Sequence, residues 1–265
     1  MADALYTFDG ARFLPGPLTV GPWSPDAQHG GPVAALLAAA VEEAVDPVFP
    51  DLAVQTVRLT VELLRPVPLT PLRVTASVVR PGKKVQLVEA AIETGTQEVA
   101  RARALRIRRE QMDVPVDTSP PPAMDGLGRE EGLAGEDGLA GQRTAFAEAV
   151  DLRFVSGGWD EKGPVTMWTR LKVPVLEGRD ISPLVRTVAA ADFGNGVSRV
   201  VDFDTHVFIN PDLTVALARV PEGEWIGFDC VSRLSREGFG QAESQIFDPS
   251  GPVGRAVQCL LVSLR

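Results

Sequence analysis

The sequence predicts an α+β protein made of two tandem copies of one unit, an apolar helix wrapped by an antiparallel sheet. Three observations carry this. A Pro/Gly-rich stretch divides the 265 residues near the middle, each side holds one almost wholly apolar helical segment, and each helical segment is followed by strand-like segments. The expected organisation is a first unit over 1–112, a linker over 113–142 and a second unit over 143–265.

The linker is read from Pro120, Pro121 and Pro122 followed by Gly126, Gly128, Gly132, Gly135, Gly138 and Gly141 among acidic residues, with no helical or strand period. In the first unit, Pro32 takes the place of the first helical residue. Val33, Leu36, Leu37, Ala40, Val41 and Ala44 then recur at helical spacing until Asp46-Pro47. A helix without a polar stripe has to be buried on every side.

Behind it, Gln55 to Leu63 alternates strictly, with Val57, Leu59, Val61 and Leu63 on one face. Leu72 to Arg80, Lys84 to Glu93 and Glu98 to Arg109 follow, separated by Pro81-Gly82-Lys83 and by Gly95. Connections this short predict an antiparallel meander.

The second unit repeats the order, so that each half is expected to be strand, helix, then four strands. Ser182-Pro183 opens a helix carrying Leu184, Val185, Val188 and Ala189, expected to stop near Gly194-Asn195-Gly196. Strands are expected over Ser198 to Ile209, Glu224 to Leu234, Gly238 to Phe247 and Val253 to Leu264. The final strands of both units open on Val-x-Arg-Ala, at Val99 and at Val253. One curled sheet leaves a side of its helix open and a second copy closes it, which places a ligand between the copies.

Composition narrows the function. A net charge of -9 with scattered basic residues opposes nucleic-acid binding. No apolar run reaches the roughly 20 residues that cross a bilayer. The first residues lack a basic cluster leading into an apolar stretch, so a cytoplasmic location is expected. Cys230 and Cys259 both lie in strand-like segments, where free thiols are common, and no disulfide is expected.

Three features break the local rules, as functional positions do. In the last strand Gln258 shares a face with Gly254, Ala256, Leu260, Val262 and Leu264. Leaving that amide buried without partners would cost about 1–3 kcal/mol, although a core Gln bonded to nearby backbone is an ordinary alternative. Asp192 continues the buried stripe of Leu184 and Val188 at a helix C-terminus, where the macrodipole disfavours a carboxylate by about 0.3–1 kcal/mol; capping of the glycine loop is its competing account. His29-Gly30-Gly31-Pro32 precedes the first helix, whose unsatisfied N–H groups suit a developing oxyanion, and the same residues also make an ordinary entry into a helix.

Other chemistries lack their parts. There is no Gly-x-Ser-x-Gly elbow, only His29 and His206 are available for a metal or a triad, and the Gly-x-Gly pairs at Gly194 and Gly238 lack a dinucleotide site's third glycine. No metal and no resident cofactor are expected.

With these residues in place, the chain resembles the double-hotdog acyl-CoA thioesterases of the thioesterase II-like branch. The stretches that carry the likeness are 29–37, 189–193, 205–210 and 254–258 (His29-Gly30-Gly31-Pro32-Val33-Ala34-Ala35-Leu36-Leu37, Ala189-Ala190-Ala191-Asp192-Phe193, Thr205-His206-Val207-Phe208-Ile209-Asn210 and Gly254-Arg255-Ala256-Val257-Gln258). The resemblance implies an acyl thioester hydrolase of fatty acid metabolism in which Asp192 and Gln258 position the attacking water, with CoA as part of the substrate. It places Asp202 where a Thr is usual, with Thr205 as the nearby substitute.

The expected roles are Asp192 as base or nucleophile, Gln258 orienting water, and His29, Gly30 and Gly31 at the oxyanion and substrate. The alternative is a non-catalytic acyl-binding protein, favoured by the extra carboxylate of Asp202. A hydratase would want a His–Asp pair on one helix. A homo-oligomer is expected, since exposed sheet faces and edges of this kind associate.

Overall fold

The computed structural model describes residues 4–124 and 145–265. The part of the expected linker from 125 to 142 lies outside them. In the first half a short hairpin, β1 (Tyr6–Phe8) and β2 (Phe13–Pro15), precedes helix α1 (Gly30–Glu43). Strands β3 (Val54–Leu63), β4 (Arg73–Arg80), β5 (Val85–Thr94) and β6 (Gln97–Arg108) follow, at the positions their alternation predicts.

The second half contains α2 (Ala145–Glu148), β7 (Val150–Ser156), β8 (Val165–Leu171), α3 (Pro183–Ala191), α4 (Phe193–Val197), β9 (His206–Ile209), β10 (Asp212–Leu217), β11 (Ile226–Leu234), β12 (Phe239–Asp248) and β13 (Gly251–Leu264).

The sheet runs continuously through both halves in the order β4-β5-β6-β3-β10-β13-β12-β11-β8-β7, with β9 added beside β13 and every pair antiparallel. Read outward from the β3–β10 seam, β6, β5 and β4 on one side correspond to β13, β12 and β11 on the other. The seam pairs Thr214 with Thr60 at its centre, and their hydroxyls lie 3.2 Å apart. The duplication is therefore closed twice, strand to strand at this seam and helix to helix where α1 packs on α3.

Burial explains the order. Val33, Leu36, Leu37 and Val41 of α1 are sealed against Leu59, Val61, Val88 and Ile92 of the sheet. Each fully buried Val or Leu side chain contributes about 1.5–3 kcal/mol relative to exposure, so a helix this apolar is stable only inside such a wrap. Among the described residues no helix is long and apolar enough to cross a membrane.

Three local readings need correction. The glycines before α1 belong to its first turn, and the residue that caps the helix is His29. Gly194-Asn195-Gly196 does not stop the second helix; the chain turns at Asp192 (φ -69°, ψ -17°) and continues as α4. The strand expected over Ser198 to Ile209 is mostly loop, leaving only the four residues of β9, and a separate strand, β10, follows Pro211. Val200 and Val201 imitate a strand, yet the buried Arg199 and the backbone turn at Asp202 hold the segment out of the ladder. The alternation Leu213, Val215, Leu217 marks β10, but the proline before it reads as an end. Ahead of α3 stand two strands, β7 and β8, where one is expected.

Candidate active site

Helices α1 and α3 lie antiparallel, so the first turn of α1 meets the last turn of α3. This resolves the oddity of Asp192. It sits at the unfavourable end of its own helix and at the favourable, N-terminal end of the other, where a carboxylate is stabilised.

The approach is close enough to require glycine. A Cβ on Gly30 would come within 2.6 Å of Asp192 Oδ2, and one on Gly31 within 2.6 Å of the Ala189 carbonyl oxygen and of the Phe146 ring. Gly194 is constrained likewise, since its Cβ would meet Ser244 Oγ at 2.8 Å. The two glycines thus let a backbone from one half touch a side chain from the other.

Asp192 is buried, its side chain only 4% exposed, and donors surround it. Oδ2 lies 2.8 Å from His29 Nδ1. Oδ1 accepts from Asn210 Nδ2 at 2.8 Å and from Gln258 Nε2 at 3.2 Å. Burial by itself raises this carboxyl, but the His29 imidazole, the Asn210 amide and the Gly31 N–H together outweigh it and hold the group below the usual carboxylate range.

His29 Nδ1 is also 3.0 Å from the Gly31 nitrogen, in the position of a cap acceptor. One nitrogen cannot accept that N–H while donating to Asp192. A carboxylate 2.8 Å from a ring nitrogen needs a proton between them, and an imidazole is ordinarily the stronger base of the two, so Nδ1 carries it while the Gly31 N–H points between the ring nitrogen and the carboxylate.

The start of α1 then has little left to offer. His29 N–H donates to the Thr19 carbonyl, Gly31 N–H is engaged, and Pro32 has none. The Gly30 N–H is the remaining donor of the first turn.

Gln258 reaches the cluster because β13 changes partners there. It pairs with β10 through Gly254–Val257 and with β9 through Leu261–Leu264. In the interval the Cys259 N–H is taken by Asp212 Oδ1 at 2.7 Å, and Asn210-Pro211 bends the neighbouring chain inward. Gln258 Oε1 accepts from the Asn195 backbone N–H at 3.1 Å, which fixes the amide with its nitrogen towards Asp192. Helix α4, unexpected from the sequence, supplies that N–H.

Of the seven candidates, the structure brings together His29, Gly30, Gly31, Asp192 and Gln258. Asp202 and Thr205 stand apart. Asp202 is exposed and ion-paired with Lys162 at 2.9 Å, and Thr205 Oγ1 meets His206 Nδ1 at 2.8 Å on the surface. The third polar partner of Asp192 is Asn210, which sequence reasoning quoted within a stretch and gave no role. Its signal was an Asn-Pro-Asp break directly after a strand. Asn195 was missed too; its Oδ1 is buried without a partner among the described residues.

Aromatic rings frame the imidazole. Phe146 and Phe193 lie 5.0 and 5.2 Å from it, and Trp159 stands edge-on to Phe193 at 6.3 Å. Cys230, beneath α4, is no competing nucleophile, because burial pushes its thiol up to about 12. A hollow of about 650 Å³ among Arg58, Glu62, Glu89, Arg101 and Arg103 lies on the outer face of β3 to β6, away from α1 and from this cluster. Among the described residues no three His, Cys, Asp or Glu side chains converge as metal ligands would.

Comparison with known proteins gives a consistent picture. The N-terminal domain model of acyl-CoA thioesterases matches residues 19–107, and the C-terminal domain model matches 116–262. Similar solved structures include a conserved hot-dog-fold protein of unknown function from Alicyclobacillus acidocaldarius (17% identity, TM-score 0.72, covering 99% of this chain and 97% of that one). A candidate thioesterase II from Thermobifida fusca YX aligns at 17% identity with a TM-score of 0.73, over 98% and 97% of the two chains. The tesB protein of Mycobacterium avium subs paratuberculosis aligns at 14% identity and 0.67, over 99% and 97%. At such identities the likeness is one of fold, the double hotdog. Curated proteins returned no match.

Proposed function

Given that this chain belongs to the acyl-CoA thioesterase family, we propose that the cluster around Asp192 hydrolyses an acyl-CoA thioester to the free acid and CoA. The observation that carries the proposal is the contact between halves, in which a buried carboxylate of the second is held against His29-Gly30-Gly31 of the first.

In this reading water attacks the thioester carbonyl, the C–O bond forms as the C–S bond breaks, and the thiolate leaves with the proton taken from water. Asp192 is the source of basicity, Gln258 orients the water, and the Gly30 N–H receives the oxyanion. CoA is a product here and serves as no cofactor. We place the reaction in the cytoplasm and expect a homo-oligomer.

The acyl-binding alternative rested on Asp202 crowding the water, and Asp202 lies outside the cluster. The His29–Asp192 pair favours a different second reading, hydration or dehydration of an acyl thioester, which also needs an acid–base pair; here the pair spans two helix termini. One assay separates them. Free thiol released from acyl-CoA esters of graded chain length is followed for the wild type, Asp192→Asn and Gln258→Ala, alongside the absorbance of enoyl-CoA. Thiol release that collapses in Asp192→Asn is the expected result; release unchanged by that substitution, or turnover of enoyl-CoA without any thiol, would remove the proposed reaction.

A further inference from the structure

We propose that Arg199 binds an anionic oxygen of the thioester substrate, carried either by a phosphate of CoA or by a carboxylate on the acyl group. The proposal rests on the hydrolytic reading above for the identity of the ligand and adds a recognition residue to that site.

A buried cation is costly unless negative charge answers it. Two other arginines with little exposure are answered. Arg219 is clasped by both oxygens of Asp248, and Arg106 donates to the Ala44 carbonyl at 2.7 Å, at the negative end of α1. Arg199 is 5% exposed and has neither arrangement. Among the described residues its guanidinium has one hydrogen-bond acceptor, the Trp159 carbonyl, reached by Nη1, while Nε is buried without a partner.

The carboxylates near it act only at longer range. Asp202 is taken by Lys162 at 2.9 Å, and Asp160 makes no ion pair with the guanidinium. Burial lowers the pKa of Arg199 against the pull of both, as expected of a cation short of negative charge.

The guanidinium is held in place and open on one edge. Its Cζ lies 5.5 Å from the centre of the Phe203 ring, and Nη1 is tied to Trp159. Nη2 is neither hydrogen-bonded nor among the fully buried unpartnered atoms, so solvent reaches it. A planar fork fixed in this way, with free N–H groups at one edge, suits a phosphate or carboxylate oxygen.

Both supports of Arg199 lead back to Asp192. Trp159, whose own Nε1–H is buried without a partner, stands against Phe193, the residue after Asp192. Phe203 packs on Phe208 at 4.7 Å, and the Phe208 carbonyl accepts from Asn195 Nδ2 at 3.0 Å. Trp23 of the first half, 37% exposed, leans on both of these phenylalanines. A ligand joining Arg199 to Asp192 would therefore run along an aromatic wall built from both halves.

The test is calorimetric titration of the wild type, Arg199→Met and Arg199→Lys with two matched pairs. CoA is compared with pantetheine, which has the same thiol arm and no phosphate, and glutaryl-pantetheine with pentanoyl-pantetheine, which lacks the terminal carboxylate. Met keeps the bulk over Phe203 and removes the charge. We expect Arg199→Met to weaken the anionic member of one pair by about 10–100-fold, the scale of a hydrogen bond to a charged group, with its uncharged counterpart unaffected and Arg199→Lys intermediate. A loss confined to CoA assigns the anion to its phosphates; one confined to the glutaryl ester assigns it to the acyl group.

Anionic members bound equally well by Arg199→Met, or a loss shared equally by the uncharged members, would overturn the proposal and leave Arg199 a packing residue. If neither variant folds, the wild type decides. A preference for an anionic member that fades as salt is raised sustains the proposal, and equal affinity within both pairs overturns it. A wild type that releases no thiol from any ester overturns the hydrolytic reading alone, since the titrations need no turnover.

Discussion

The antiparallel pair α1 and α3 has two ends that the duplication makes equivalent, and only one gathers a buried carboxylate with its donors. Aligning the helices on Pro32 and Pro183 matches Ala38-Ala39-Ala40-Val41 with Ala189-Ala190-Ala191-Asp192. Aligning the last strands on Val-x-Arg-Ala matches Ala104 with Gln258. Where one end holds Asp192 and Gln258, the other holds Val41 and Ala104, both fully buried. Where one end has Gly30-Gly31, the other has Ile181-Ser182, and Ser182 Oγ donates to Glu42 Oε2 at 2.6 Å. The silent end became a polar clasp between halves. The lesson is that the fold tolerates either content, so the polar cluster is an addition to the scaffold and no requirement of it.

Copying the silent end into the active one is the hardest test of that comparison. The double variant Asp192→Val with Gln258→Ala is expected to lose more than about 10³-fold in kcat for thiol release, on the scale of removing a member of a coupled acid–base unit, while its circular dichroism stays native. A variant that unfolds would show the cluster to be structural after all.

Gly30→Ala ranks next. Its Cβ would press on the Asp192 carboxylate, so kcat is expected to fall about 10²-fold, the scale of losing one oxyanion donor, and urea titration should show about 1–3 kcal/mol of lost stability from overpacking.

Asn210→Ala sharpens the comparison by removing one donor and leaving the other three. A loss of about 1–3 kcal/mol is expected for leaving a buried acceptor short of a partner, read from the same titrations, together with a milder kinetic defect than that of Gly30→Ala.

The acid dependence of stability follows from the sign of the Asp192 shift. Its carboxyl is lower in the folded chain than in the unfolded one. The stabilisation is therefore complete above the ordinary unfolded value of about 3.9 and disappears as pH falls through the lower folded value. Urea titrations over this range should show a steeper acid loss for the wild type than for Asp192→Asn.

The smallest effects belong to residues outside the cluster. Ser182→Ala, which also removes the cap of α3, should cost about 0.5–2 kcal/mol with kcat unchanged, and Asp202→Asn, at an exposed ion pair, should alter neither stability nor thiol release by more than about 0.5 kcal/mol.

Much of this was legible before coordinates. Strict alternation in β3 to β6 and the unbroken apolar spacing of α1 are local signals, and local signals survive in a sequence. Asp192 and Gln258 were found because each violates a pattern strong enough to make the violation visible. Asn210 obeys its surroundings, since an Asn before a Pro is ordinary turn chemistry, and nothing local reports that its amide points at a carboxylate.

Asp202 was chosen from the register of a strand that does not form at 198–205. A register argument fails whenever the strand beneath it does. The His29–Asp192 contact needed the antiparallel pairing of the two helices, which only the assembled core determines.

The partner exchange along β13 has one more consequence. Leu261–Leu264 are not among the residues bonded to Asp192, yet they are what β9 pairs with, and β9 leads straight into Asn210. Trimming those four residues should free β9 from the sheet and let Asn210 drift, so the proposed site would be disabled by a deletion outside it.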